Sequence, residues 1–356
     1  MRRIFAAAIA TLIALSAATA AAQSGLRTEG DVVGAQGIYQ AEVPVNGQGE
    51  SDRNSGLARA LGKVLAKLTG DRNVTARPGV GVELRNARDY VDGYDFRQDQ
   101  GVSPNGAPTF GTVLVARFKP DAVNELAGAL GLGIWPEPRP KPVLWLAIDD
   151  GSGPRLVGLT QANAARSALN QAKARGYALG LPAGNAAEQA VVGAIWRQDV
   201  AAVARASSRY SPPMQLVGKL YRAGGGWKAD WVFVDGGKVL SKWSSSDPDA
   251  RRAMSAGADG AADALIKRYA KRGSAGPAGS YRVVFTGVNG ADGYIRLSSA
   301  LQRMAVVRKI TPVAAHGDTY EVNLDLVSGL SGFKRMVGDD APFVGGEGDP
   351  PVYRMK

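Results

Sequence analysis

QLVGKLYRAGGGWKADWVFVDGGKVLSKW, Gln215 to Trp243, decides the fold class. Three runs in it alternate apolar and polar residues: Gln215 to Tyr221, Trp227 to Val234 and Val239 to Trp243. Gly224-Gly225-Gly226 and Gly236-Gly237 separate them. Strands with period-two patterning joined by glycine turns make an antiparallel meander. A helix follows from Ser246 or Asp247 to about Lys271. Ala258, Ala262, Leu265, Ile266 and Tyr269 form its buried stripe, and Lys267, Arg268, Lys271 and Arg272 its basic end. Cations in a last turn complement the helix dipole.

Upstream, Val143 to Ile148 (VLWLAI) is a continuous apolar run, the mark of a buried central strand. A helix over Gln161 to Arg175, stopped by Gly176, and a short strand at Tyr177 to Leu181 complete a βαβ pattern. Asn185 can cap a further helix reaching towards Ser207. This central α/β unit spans 142–272. It is preceded by WPEPRPKP, where alternating prolines predict a stiff extended spacer.

An N-terminal unit covers 37–132. Ile38 to Val45 reads as a strand. In the helix from Ser51 to Leu68, Leu57, Leu61, Val64, Leu65 and Leu68 share one face, and Gly70 is placed for a left-handed C-cap. A short helix around Ala87 to Phe96, a strand from Gly111 to Phe118 and a helix from Asp121 to Leu130 follow, in the order β-α-α-β-α. After the tether Gly273 to Ser280, a C-terminal unit over 281–338 has the order β-α-β-β-α, part of a ferredoxin-like module. The Gly/Pro-rich tail 339–356 predicts irregular structure. The whole is an α+β and α/β chain of tandem small modules, with mixed sheets and helices packed on them.

The 356 residues include no Cys and one His. That excludes disulfides, thiolate metal sites, cysteine nucleophiles and multi-His metal centres. Arg2 and Arg3, the apolar run Ile4 to Leu15 and Ala20-Ala21-Ala22 predict a signal peptide over 1–22, too short in its apolar part for a spanning helix of about 20 residues. Without the two arginines the net charge of +11 becomes +9. A periplasmic protein with no membrane-spanning segment after cleavage follows. In that compartment the basic surface predicts acidic envelope partners rather than nucleic acid.

Asp149 and Asp150 are the candidate site. They stand at the carboxyl end of the buried strand, where open α/β sheets place ligands, and two carboxylates could hold Mg²⁺ or Ca²⁺. The alternative is an acidic turn before Gly151. His316, in Ala-Ala-His-Gly-Asp, falls at an apparent hairpin tip with no nucleophile nearby in the sequence. Ser331 to Lys334 matches S-x-x-K without its partner motifs, and Asp339-Asp340 reads as solvated. No cofactor motif is present: Gly79-Val80-Gly81 and Gly131-Leu132-Gly133 lack the context of a dinucleotide loop.

IYQAEVPV, ARALGKVLAKLTGDRNV and the pattern YV-x-x-Y-x-F-R at Tyr90 to Arg97, with ASSRY, LVGKLYR and WKADWVF further on, resemble a proteobacterial periplasmic family of unknown function, DUF2066. The resemblance implies a location and no chemistry. The segment Met214 to Lys271 also looks like the module of the curli secretion lipoprotein, the penicillin-binding-protein activator lipoprotein and the N-terminal domain of the Tol translocation protein. The first unit looks like the N-terminal domain of flagellar assembly protein T. These likenesses imply partner binding in the cell envelope rather than catalysis. The expectation is therefore a non-catalytic periplasmic adaptor binding envelope proteins or the cell wall. The rivals are a metal-dependent hydrolase using Asp149 and Asp150 and an anionic lipid or glycan binder.

Overall fold

The computed structural model describes residues 37–102, 108–210, 213–270, 276–338 and 341–356. The expected signal peptide, Lys271, Arg272 and Asp339-Asp340 lie outside them. The chain has an α+β fold.

In the first unit, β1 (Gln40–Val45) is followed by α1 (Glu50–Thr69), α2 (Val80–Arg85), β2 (Val91–Val102), β3 (Pro108–Phe118) and α3 (Pro120–Ala129). The sheet order is β1-β3-β2, antiparallel throughout. Leu57, Leu61, Val64, Leu65 and Leu68 are buried, as the spacing predicts, and Gly70 caps α1 with φ 71°. The helix expected at Ala87 to Phe96 is instead a single 3-10 turn, Ala87–Tyr90, that leads into β2. Tyr94 and Phe96 pair with Ala116 and Leu114 of β3. Their two-residue spacing suits a strand, and pairing with β3 settles a segment too short to specify a helix by itself.

The proline run is pinned down rather than free. Trp135 and Arg139 are fully buried. The Arg139 guanidinium lies over the Trp135 ring, 4.6 Å from its centroid. It donates to the carbonyls of Lys67 (2.6 Å), Leu68 (3.0 Å), Trp135 (2.6 Å) and Gly176 (2.7 Å). The last carbonyls of α1 have no partners within the helix and sit at its negative end, so a buried cation is well placed there. Burial pulls the Arg139 pKa down to about 10, with weak opposition from Glu137 and Tyr39. It remains protonated at neutral pH.

The second unit comprises β4 (Val143–Asp149), β5 (Arg155–Leu156), α4 (Arg166–Ala174), α5 (Ala186–Gln189), α6 (Val192–Arg197), α7 (Val200–Ala206), β6 (Met214–Ala223), β7 (Gly226–Asp235), β8 (Lys238–Asp247) and α8 (Ala250–Tyr269). The sheet runs β5-β4-β6-β7-β8, with β4 and β6 parallel and the meander β6-β7-β8 antiparallel. One face packs on α4 and α8 through residues such as Leu144, Leu216, Trp231 and Phe233. The other packs on the α6–α7 segment through Trp145, Val217, Ile195 and Val203. Three expectations change here. The strand at Tyr177 to Leu181 is a single parallel bridge, Gly180 to Val143. The helix from Gln161 begins as a 3-10 turn and is α-helical only in α4. The helix expected from Asn185 to Ser207 is broken into α5, α6 and α7, with Gln198 left-handed at φ 55° between the last two.

The third unit comprises β9 (Gly279–Thr286), α9 (Gly290–Arg303), β10 (Val307–His316), β11 (Thr319–Leu326), α10 (Gly329–Met336), β12 (Phe343–Glu347) and β13 (Val352–Met355). The tail expected to be irregular forms the hairpin β12–β13. It extends the sheet to β10-β11-β9-β13-β12, with β13 parallel to β9. Phe343 and Tyr353 are buried among Phe285 and Phe333, with ring centroids 5.2–6.3 Å apart. Burial of these rings outweighs the loop-like composition around them. The first and third units share one hydrophobic core. Ser328 donates to the Ala129 carbonyl and Arg335 to that of Gly128 (2.9 Å), tying α10 to α3. A Cβ at Gly332 would come within 2.5 Å of the Ala129 carbonyl oxygen, so glycine is required for this approach. No helix among the described residues is long and apolar enough to cross a membrane.

Candidate partner-binding groove

Asp149 and Asp150 lie in the turn after β4, and that turn engages both. Asp149 Oδ1 accepts from the amides of Gly151 (2.8 Å) and Gly153 (3.0 Å). Asp150 Oδ1 accepts from the Ser152 hydroxyl (2.6 Å) and amide (3.2 Å), and its Oδ2 pairs with Arg155 at 2.8 Å. The bonds from Ser152, aided by Arg155, hold the Asp150 carboxyl below the usual aspartate range. Gly151 and Gly153 have φ of 108° and 99°, which the turn requires. Among the described residues no group of three or more His, Asp or Glu side chains converges as metal ligands would. His316 is exposed at the β10–β11 turn, opposite Thr319. The Ser331 hydroxyl accepts from the Gly276 amide at 2.6 Å, and Lys334 is exposed. The structure does not bring these sequence-selected residues together.

What it brings together instead lies at the other end of the same sheet. β8 is the outermost strand beyond β7, and α8 crosses the sheet beside it. Between them is a cleft of about 640 Å³. Leu240, Ser241 and Trp243 line it from β8. Ala256, Gly260, Ala264 and Lys267 line it from α8, at i, i+4, i+8 and i+11 on one helical face. Trp243 forms the wall between the two elements. Its Nε1 donates to the Ala256 carbonyl at 3.0 Å, and a Cβ at Gly260 would stand 2.2 Å from its ring. Ser245 Oγ donates to the Ala253 carbonyl at 2.9 Å, and Arg268 pairs with Asp235 at 3.2 Å. These contacts show that α8 runs back along β8, with its C-terminal end over the start of the strand.

The charges around this cleft are unevenly matched. Asp259 and Asp263 both bind the buried Arg175, at 2.6 Å and 2.5 Å, while Arg175 also donates to the Gly70 carbonyl. Burial opposes the Arg175 charge, but the two carboxylates outweigh it and raise its pKa. Arg72, arriving from the turn after α1, and Lys267 have no ion-pair or hydrogen-bond partner among the described residues.

A second cleft, of about 740 Å³, lies between the first and second units and is lined by Glu42, Lys63, Lys67 and Lys173. Burial, then the neighbouring Lys63 charge, lowers the Lys67 pKa to about 8. Its ammonium donates to the carbonyls of Gly37 (3.0 Å) and Gln40 (2.6 Å), and Lys63 donates to that of Glu42 (2.7 Å). These lysines therefore tie α1 to β1. Sequence reasoning identified β8 and α8 as elements but missed the groove between them. The available signal was the spacing of Ala256, Gly260 and Ala264, which leaves one side of α8 without bulk opposite Trp243.

A family model described as Domain of unknown function (DUF8605) matches residues 33–136, which coincides with the first unit and covers well under half of the chain. No curated protein and no solved structure matches the chain.

Proposed function

We propose that this is an exported, non-catalytic adaptor of the cell envelope that holds a protein partner along β8. The observation that carries the reading is an edge strand bordering an apolar cleft walled by Trp243. An edge strand offers unpaired backbone N–H and C=O groups, and a cleft beside it receives alternate side chains of an added strand. Together these are the elements of recognition by β-augmentation. The basic balance of the chain and the signal-like segment 1–22 support the envelope as its place of work.

The test is site-specific photo-cross-linking in the native cell, with p-benzoylphenylalanine in place of Val239, which is 43% exposed on β8. Val313, 40% exposed on β10, is the control position. One discrete adduct from Val239, absent from Val313, is expected in the periplasmic fraction. No adduct from Val239, or the same adduct from both positions, would remove the β8 edge as the docking strand. Finding the full-length, unprocessed chain in the cytoplasm would remove export.

A further inference from the structure

We propose that the occupant of the β8–α8 groove is an acidic extended segment. It adds to β8 as a strand, with apolar side chains at the Trp243 end and carboxylates at the Lys267 end. This rests on the groove reading above and assigns the ligand's chemistry.

The two ends of the groove differ in character. Because α8 runs back along β8, the half near Trp243, Ala256 and Gly260 is apolar, and the opposite half gathers cations. Lys238 begins β8, Lys267 and Arg268 lie in the last turn of α8, and Arg72 reaches in from the first unit. The α8 dipole gives Lys267 and Arg268 a structural reason to be there. It gives none for Arg72, which belongs to another unit. The acids on the cleft are already engaged by other cations. Asp259 and Asp263 bind Arg175 beneath them, and Asp235 binds Arg268. Among the described residues Arg72 and Lys267 have no ion-pair partner; with two carboxylates on the single Arg175 and one on Arg268, they leave the rim of the cleft with a net positive charge. A carboxylate-bearing strand complements both halves at once: its main chain pairs with β8, its apolar residues meet Trp243, and its acids meet the cations.

The experiment selects peptides of random sequence displayed on phage against the full mature chain, in parallel with a variant carrying Arg72→Glu and Lys267→Glu. Both sites are at the surface, so the variant should keep the melting temperature of the parent. The parent pool is expected to be enriched in Asp and Glu, and the variant pool in Lys and Arg. The best acidic peptide should lose about tenfold in affinity on the variant, the scale of two partly exposed ion pairs. Its binding should weaken with added salt. Methylating its backbone nitrogens one at a time should abolish binding at alternate residues only, since only every second amide of an added strand faces β8. Selected peptides that need Trp243 but show no acidic bias, or no change on the charge swap, would overturn the inference and leave the groove reading standing. Tolerance of every methylation would overturn strand addition. Recovery of no peptides, or only of peptides indifferent to Trp243→Ala, would overturn both.

Discussion

Trp231 and Trp243 face each other across β7 and β8, and each rests on a glycine of α8. Trp231 is fully buried between Gly218 and Gly257, and its Nε1 is buried with no hydrogen-bond partner among the described residues. Trp243, one strand further out, is half-buried. It rests on Gly260 and gives its Nε1 hydrogen to the Ala256 carbonyl. The inner ring fills volume, and packing alone fixes it. The outer ring has neighbours on one side only, so a directional bond fixes it and leaves a surface facing the cleft. The same residue type on the same sheet face is core in one place and recognition wall in the other. What separates them is whether another strand lies beyond.

The strongest attempt to break this distinction is to truncate each ring. Trp231→Ala should cost about 3–5 kcal/mol in chemical denaturation, the usual range for emptying a fully buried aromatic site. Trp243→Ala should cost on the order of 1–2 kcal/mol, because its site already borders solvent, while abolishing peptide binding. Equal losses of stability would mean that Trp243 is simply core. The supporting glycines sharpen the comparison. Gly257→Ala forces a methyl into a ring that cannot move, at about 1–3 kcal/mol. Gly260→Ala should cost less, since the Trp243 ring can swing towards the cleft, and should weaken binding more than it weakens the fold.

Charge divides in a similar way at the junction of the first two units. Arg139 gives its hydrogen bonds to carbonyls, whereas Arg175 is neutralised by Asp259 and Asp263. Arg139→Ala removes the donor from four carbonyls in a buried place and should cost about 3 kcal/mol. Arg175→Ala should cost less, because Asp263, with its side chain 60% exposed, can return to water. A reversed order in the melting of the two variants would show that the carboxylates, not the carbonyls, cement the units.

The parts of this molecule that were legible in the sequence are those specified locally. The β6–β7–β8 meander is written in its glycine turns and period-two strands, and α1 in its leucine face. β2 was misread because Tyr90, Tyr94 and Phe96 suit a short helix as well as a strand until β3 is placed beside them. The β12–β13 hairpin was hidden because the partner that buries Tyr353 is β9, far back in the chain. Arg139 looked like part of a spacer, yet it bonds to carbonyls over 70 residues away. The groove depended on strand order. Nothing within Lys238 to Asp247 reveals that β8 is last in its sheet, and only at an edge does a half-covered tryptophan become a wall.

A smaller effect separates Lys67 from the groove's unpaired cations. Its folded pKa of about 8 lies below the ordinary lysine value of 10.5. The unfolded chain therefore binds more protons between those values, and stability must rise as pH increases through that window. The gain should reach about 1–2 kcal/mol by about pH 9.5, read as the difference from Lys67→Met so that the contributions of the buried tyrosines and Arg139 cancel. It should vanish in Lys67→Met. A wild-type stability that is flat or falling from about pH 7.5 to 9.5, relative to that variant, would show that Lys67 is solvated and that its cleft is open.

The smallest effects belong to the turn that looked most like a site. Asp149→Asn keeps an oxygen able to accept from the Gly151 and Gly153 amides, so the melting temperature should hold, whereas Asp149→Ala leaves both donors unmatched at about 1 kcal/mol. Because the turn's own donors and Arg155 already engage Asp149 Oδ1 and both oxygens of Asp150, millimolar Mg²⁺ or Ca²⁺ should not shift the melting of the wild type. A shift that disappears in Asp149→Asn would place a cation at the strand end and move the search for function from the edge of this sheet to its middle.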